Sequence, residues 1–253
     1  MQNIKCTIAY DGSTFSGSQI QPQARTVQGE VEKVLKKMHK DKPIRIYPSG
    51  RTDAGVHALG QVFHFKTDLT IPETGWHKAL QSLLPRDIQI KQVRFVEDTF
   101  HARFSALDKE YRYIVLNTEE PDLFRRNFTY HSAFTYDIEK MQAACKVLEG
   151  EHDFTSFAST KSTVTGDKIR TIYEISCHRI NKEVRFSVRG SGFLQHMVRI
   201  IVGTLLDIGC GNIPADELTH ILEAKDREKA GITIPPEGLY LWEVNYEKET
   251  DNT

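Results

Sequence analysis

An arginine, a carboxylate and two glycines crowd into Gly50-Arg51-Thr52-Asp53-Ala54-Gly55-Val56-His57-Ala58, between two β-prone segments, Pro43–Tyr47 and Gln61–Lys66. Glycine at 50 and 55 admits backbone conformations closed to other residues, so the main chain can press against a ligand while Asp53 points out of the turn. A carboxylate held in this way can serve as a nucleophile or as a general base. Arg51, two residues earlier, suits a phosphate or the space left by a displaced group. Taken by themselves, the same residues also describe an Asx-type turn, with Asp53 bonded to its own backbone and Arg51 in a surface ion pair worth little. His57 invites a metal or general-base role. No partner ligands sit at metal spacing, which predicts a structural hydrogen bond instead.

Elsewhere the chemistry-bearing residues are sparse. Arg199 lies among Met197, Val198, Ile200 and Ile201; an arginine in so apolar a stretch is seldom buried unpaired, and its stem can also snorkel along a helix edge. Tyr111 sits in a β-prone run, where an aromatic ordinarily packs on a core. Gly190-Ser191-Gly192 lacks the Gly-x-Ser-x-Gly elbow of a serine nucleophile and reads as a turn. There is no Gly-x-Gly-x-x-Gly after a strand, no Walker-type loop and no His-Glu-x-x-His, which is consistent with chemistry that needs neither a cofactor nor a metal. Cys6, Cys145, Cys177 and Cys210 are far apart, with no Cys-x-x-Cys pair, and read as small buried hydrophobes.

The elements that would position these residues follow from periodicity. Ile4, Cys6, Ile8 and Tyr10 alternate with polar or small residues, as in a strand with one buried face. Val27, Val31, Val34, Leu35 and Met38 recur at helical spacing. A helix is expected around Gly75–Leu84 and a strand over Ile88–Val96. A second series of similar elements begins near residue 104: a strand at Glu110–Leu116, a helix through Ile138, Met141, Cys145 and Leu148, and strands at Ile169–Arg179 and Val184–Arg189. A long apolar helix, Leu194–Ile208, is expected to stop at Gly209, followed by a short helix after Pro214 and a last strand, Leu239–Tyr246. Glu151–Lys168 shows little periodicity and reads as a long loop. Strands and helices are interspersed in both halves, which predicts an α+β fold: residues 1–103 carrying the aspartate loop, 104–246 forming a related second half, and 247–253 a polar tail.

The chain has 253 residues, 39% hydrophobic and 26% charged, the composition of an ordinary soluble globular protein. No apolar run approaches the ~18 residues of a membrane helix, and the N-terminus lacks the apolar core of a secretory signal, so the expected compartment is the cytoplasm and no membrane partner is expected. The net charge of −1 hides an asymmetry. Residues 1–200 hold 29 Lys and Arg against 23 Asp and Glu, a balance of +6; residues 201–253 hold 4 against 11, a balance of −7. Phosphate contacts need local positive potential rather than a basic whole, so a nucleic-acid partner is permitted, though a solvated mixture of charges fits as well.

Several segments together carry a family resemblance. Arg51-Thr52-Asp53-Ala54-Gly55-Val56-His57-Ala58 closely resembles the catalytic signature of the TruA-type tRNA pseudouridine synthases. Tyr10-Asp11-Gly12-Ser13-Thr14-Phe15-Ser16-Gly17 with Thr26-Val27-Gln28 is similar to the family's N-terminal block. Phe100-His101-Ala102-Arg103-Phe104-Ser105-Ala106 and Lys109-Glu110-Tyr111-Arg112-Tyr113 are similar to the segment bearing its active-site tyrosine. His152 to Phe157, Arg170-Thr171-Ile172, Gly192-Phe193-Leu194 with Met197-Val198-Arg199, and Pro236-Glu237-Gly238-Leu239-Tyr240-Leu241 recur in family order, so the resemblance runs from about residue 4 to 246.

That resemblance implies two α+β halves whose antiparallel sheets meet around a central cleft, with helices on the outer faces. It implies isomerisation of uridines in the tRNA anticodon stem-loop, at positions 38, 39 and 40, by a homodimer without a cofactor. Asp53 would be the essential carboxylate, Arg51 would take part in flipping the target base, Tyr111 would lie against that base, and Arg199 would pair with the aspartate. Arg103, Arg112, Lys161 and Lys168 are further candidate RNA contacts. Ser18 and Gln195 depart from the family, which usually has an aromatic at the first and a tyrosine at the second; both bear on substrate range. The same chemistry on another RNA or a narrower uridine set stays open. Rivals of other classes are an RNA-binding protein without catalysis, against which intact Asp53, Arg51, Tyr111 and Arg199 speak, and a hydrolase using Asp53, against which the missing metal and phosphate motifs speak.

Overall fold

The computed structural model describes residues 1–160 and 167–247. Among them the elements run β1 (Gln2–Tyr10), α1 (Val27–Met38), β2 (Tyr47–Pro48), β3 (His57–Thr67), α2 (Glu73–Leu83), β4 (Ile88–Val96), β5 (Ala106–Asn117), β6 (Tyr130–Ser132), α3 (Ile138–Val147), β7 (Gly150–Asp153), β8 (Ile169–Ile180), β9 (Glu183–Gly190), α4 (Met197–Cys210), α5 (Glu217–Ala224) and β10 (Leu239–Tyr246). The fold is α+β, and it divides into two compact units: Met1–Leu107 with the chain from Leu241 onward, and Asp108–Tyr240. The boundary expected at residue 103 thus lies four residues later, and the last strand from Leu241 counts with the first unit rather than the second.

In the first unit the strand order is β4-β1-β3-β10, with the short β2 on β3. β1 is antiparallel to both β3 and β4. Ile4, Cys6, Ile8, Phe63 and Phe65 are buried, and Trp76 of α2 packs edge-on against Phe65 at 5.4 Å. The helices therefore cover the Phe63–Phe65 face of β3. Because strand side chains alternate, His64 turns to the opposite face. Thr26 caps α1, its hydroxyl accepting a hydrogen bond from Gly29 N at 3.2 Å. The β-prone segment Pro43–Tyr47 pairs only at its end, Tyr47 with His64 and Pro48 with Phe63. Ile46 N instead donates to the Glu32 carboxylate of α1, so a side chain takes the place of a ladder partner.

In the second unit the order is β5-β9-β8-β7, all antiparallel, with β6 beside β5. The short β5–β6 pair is parallel, with Val115 opposite Tyr130. α3 lies on β8, where the Gln142 amide donates to Cys177 O at 2.9 Å. α4 begins at Met197 rather than Leu194, because His196 takes a left-handed conformation (φ 63°) at its start. Its end is also shifted: Gly209 stays helical and packs closely on Met141, and Gly211 supplies the left-handed cap. The expected loop from Glu151 instead opens with β7 and a turn at Thr155–Phe157 that buries Phe154 and Phe157 completely. Cys6, Cys145 and Cys177 are buried as expected, whereas Cys210 is partly exposed.

Candidate active site

The loop from Ser49 to Val56 leaves β2 and enters β3, and it is held by residues 10–18 on one side and by Gln61 and Val62 of β3 on the other. Thr52 is its anchor. The side chain is buried and its hydroxyl meets Tyr10 Oη at 2.8 Å. Thr52 N donates to Ser18 Oγ at 2.8 Å, and Ser18 N donates to Thr52 O at 3.1 Å. With Thr52 turned inward, its neighbours turn the other way: Arg51 is exposed and Asp53 half-buried. Val56 N donates to Asp53 O at 3.2 Å and closes the turn, and Gly55 adopts the positive φ, 79°, that the turn requires. On the far side the Gln61 amide donates to Gly50 O at 3.1 Å while its oxygen accepts from Ser49 Oγ at 2.7 Å. Burial of the Tyr10 phenol pushes its pKa up to about 12, against hydrogen bonds from Thr52 and Gln61 that favour the ionised form, so it stays protonated at neutral pH.

The N-terminal block exists to receive this loop. A Cβ on Gly12 would stand 2.1 Å from Val56 O, and Gly17, at φ 94°, brings its own backbone within reach of Thr52 O. Neither position tolerates a side chain without moving the loop. Gly12 N donates to His57 Nδ1 at 3.0 Å, which leaves the ring proton on Nε2. His57 is therefore the structural hydrogen-bond partner that its spacing predicts; the 3.3 Å approach of Asp11 to the same nitrogen is no ion pair while Nδ1 accepts. Beneath the block, Arg25 lies 4.2 Å from the centre of the Phe15 ring and grips Asp87 with both terminal nitrogens, at 2.7 and 3.0 Å. That pairing holds the Asp87 carboxyl below the usual carboxylate range.

In the second unit Tyr111 is buried in β5 opposite Val188, and the Phe193 ring meets it edge-on at 5.1 Å. Arg199, partly buried in α4, donates from Nε to Ile234 O at 2.7 Å, which fixes the direction of its guanidinium. Tyr113 donates to Pro235 O at 2.7 Å, so two side chains bind the segment that leads into Pro236-Glu237-Gly238. Arg103 is exposed in the first unit. Arg112 pairs with Glu110 at 2.6 Å, and Ser187 Oγ donates to the same carboxylate oxygen at 2.9 Å. Lys168 is half-buried, its carbonyl accepting from Phe154 N at 3.1 Å; Lys161 lies outside the described residues.

Asp53, Arg51 and Arg103 thus belong to the first unit, and Tyr111, Arg112, Lys168 and Arg199 to the second. Ser18 acquires a role that sequence did not disclose. It is buried at 4% exposure against the backbone of Thr52, so it shapes the loop rather than facing a substrate. Gln195 is exposed, and its carbonyl accepts from Ser159 N at 3.0 Å. Phe193, behind Tyr111, also escaped notice, although it stands in a segment of the resemblance.

The loop thus presents a half-buried carboxylate on a turn pinned at both ends, with an exposed arginine two residues before it. The family described as tRNA pseudouridine synthase matches residues 7–105 and 144–247, which include the aspartate loop and Arg199. The chain is 52% identical over 252 residues to the tRNA pseudouridine synthase A of Oceanobacillus iheyensis, covering all of both chains. It is 53% identical over 245 residues to the Bacillus subtilis protein of the same name, covering 96% of this chain and 99% of that one. A Geobacillus relative, again so named, is 53% identical over 246 residues. The chain belongs to the tRNA pseudouridine synthase family and is an isomerase of that kind.

Proposed function

We propose that the protein isomerises uridines 38, 39 and 40 in the tRNA anticodon stem-loop to pseudouridine, with Asp53 as the catalytic carboxylate. The reaction breaks the N1–C1′ bond, turns the base, joins C5 to C1′ and releases the C5 hydrogen as a proton. It is redox-neutral and uses no group donor. What carries the reading is the Asp53 turn: Thr52 fixes it from inside through three hydrogen bonds, so the carboxylate keeps its place while the base moves. Extruding a paired base is a matter of a few kcal/mol, and Arg51, exposed two residues away, suits the vacated space or a flanking phosphate. Tyr111, braced by Phe193, offers a ring for the flipped base. Arg199, its guanidinium directed by the bond to Ile234 O, is the cation that the second unit offers the reaction. Arg103 and Lys168 contribute to phosphate binding, Arg112 does so if its Glu110 pairing exchanges for a phosphate, and Lys161 completes the set.

The protein works as a homodimer in the cytoplasm, since a tRNA extends well beyond a surface that 253 residues can offer; an active monomer in sedimentation with tRNA would contradict this. None of the helices among the described residues is long and apolar enough to cross a membrane. The test of the reaction is Asp53→Asn. The amide is nearly isosteric but is neither a competent nucleophile nor a base. It should abolish pseudouridine formation in an anticodon-arm assay and leave tRNA affinity largely intact. A tenth of the normal rate would remove Asp53 from this role.

A further inference from the structure

The helix-free face of the first unit's sheet carries an arrangement that the aspartate loop does not use. Tyr47 and His64 stand opposite each other on β2 and β3, their rings 5.1 Å apart and stacked at 25°. His64 meets His101 at 4.6 Å, and His101 in turn lies 4.4 Å from Phe104. The ends of this row are open and its middle is closed: Phe104 is 77% exposed and Tyr47 42%, whereas His64 is only 5% exposed. Each open ring has a guanidinium beside it, Arg45 at 5.7 Å from the centre of Tyr47 and Arg103 at 5.6 Å from that of Phe104.

The row is rigid at its centre. Ala102 N donates to His64 Nδ1 at 3.1 Å, which ties the Phe100–Phe104 segment to β3. Burial, with His101 and Lys66 nearby, keeps the His64 imidazole neutral. Nothing in the packing of the first unit requires Phe104 to face water, and a single exposed aromatic would call for no explanation. Two exposed rings on a fixed base, each flanked by an arginine, do.

We infer that Tyr47 and Phe104, with Arg45 and Arg103, form a stacking platform for an unpaired nucleobase of the RNA substrate. This rests on the tRNA reading above and deepens it. Aromatic faces accept any base, and guanidiniums both stack and hold phosphates by paired hydrogen bonds, so an open ring with an arginine beside it matches a base and its backbone. Tyr47 precedes Asp53 by six residues, a reach of at most ~20 Å of extended chain. At ~3.4 Å per stacked nucleotide that is on the order of six nucleotides. The Tyr47 end of the platform therefore lies within one stem-loop of the reacting uridine, and it selects substrates that present an unpaired base at that distance.

The test uses the full-length protein and unmodified tRNA transcript. Phe104→Leu and Tyr47→Leu should each weaken tRNA binding about tenfold, within the range for loss of one stacked base. The loss should appear in KM rather than kcat, with the salt dependence of affinity unchanged. Arg45→Gln and Arg103→Gln should each lower the slope of log affinity against log salt by about 0.7–0.9, which a merely structural role would not do. A 2-aminopurine placed in turn at each loop position should be quenched by the wild type at one of them and not by Phe104→Leu. Because Phe104 is mostly exposed, its variant should melt with the wild type. Unchanged binding in both leucine variants would overturn the proposal, as would a change in the sedimentation of the free protein, which would assign the rings to a protein contact. If the wild type forms no pseudouridine in the anticodon arm, the substrate reading fails on its own, and weakened binding in the leucine variants would still support the platform.

Discussion

Ser18→Ala tests whether the aspartate turn acts through its anchor. The serine hydroxyl is the acceptor for Thr52 N, and both residues are buried, at 4% and 6% exposure, so water does not replace the lost oxygen. A buried N–H left without a partner is worth about 1–3 kcal/mol. For a chain of this size each kcal/mol lowers the melting temperature by about 2–4 °C, so the variant should melt roughly 2–12 °C lower. The catalytic effect follows from the same bond. The backbone pair from Ser18 N to Thr52 O and the Tyr10–Thr52 bond remain, so the loop is loosened rather than released. Misplacing a reacting group by about 1 Å can slow a reaction on the order of a hundredfold, and a partial loosening should fall short of that.

The assay follows tritium released from C5-labelled uridine in tRNA, in single turnover with enzyme in excess. The rate should fall by about tenfold while tRNA affinity stays near the wild-type value. Tyr10→Phe removes a second hold on Thr52, and the double variant should lose more than the two singles combined. Lower melting with a normal rate would sever the link between the anchor and the chemistry. Normal melting with a normal rate would refute the hydrogen bond's importance altogether.

Two further outcomes are expected. Tyr111→Leu should cut turnover severely while tRNA still binds, and Tyr111→Phe should also be slow if the hydroxyl moves a proton; a leucine variant with wild-type turnover would leave Tyr111 a core aromatic braced by Phe193. Stability should fall as pH drops from about 6.5 to about 4, because His64 in the fold titrates near 4, chiefly through burial, whereas in the unfolded chain it binds its proton near 6.5. The full effect is on the order of 3 kcal/mol. It is present above pH 6.5 and lost below, and denaturant titrations of a His64→Gln variant should show a flatter profile across that window.

Much of the fold was legible because its signals are local. β4 and β10 have the bounds expected of them, and α1, α3, β8 and β9 agree to within a residue or two. The ends of α4 were misplaced because they are decided elsewhere: by a left-handed His196, and by Met141, which packs against Gly209 and keeps it helical. The β5–β6 pair and β7 depend on partners far along the chain, which no short-range period reports. Glu151–Lys168 looked aperiodic because Phe154 and Phe157 are buried from a turn, where neither helical nor strand spacing applies.

At the site, residue type and shared motifs carried the chemistry, while the supporting contacts stayed hidden. The two bonds between Ser18 and Thr52 involve three main-chain atoms and one hydroxyl, so almost any residue at 18 could supply half of them. Seen as sequence, Ser18 is a small residue where the family has a ring, and it bears on substrate range. In the fold it is a clamp on the turn that carries the carboxylate. The buried hydroxyl secures Thr52 directly, and with it the turn that carries Asp53. On the reading proposed above, substrate choice would fall to side chains that face solvent, which in the first unit include Arg51 beside Asp53 and the ring-and-arginine row that ends in Tyr47 and Phe104.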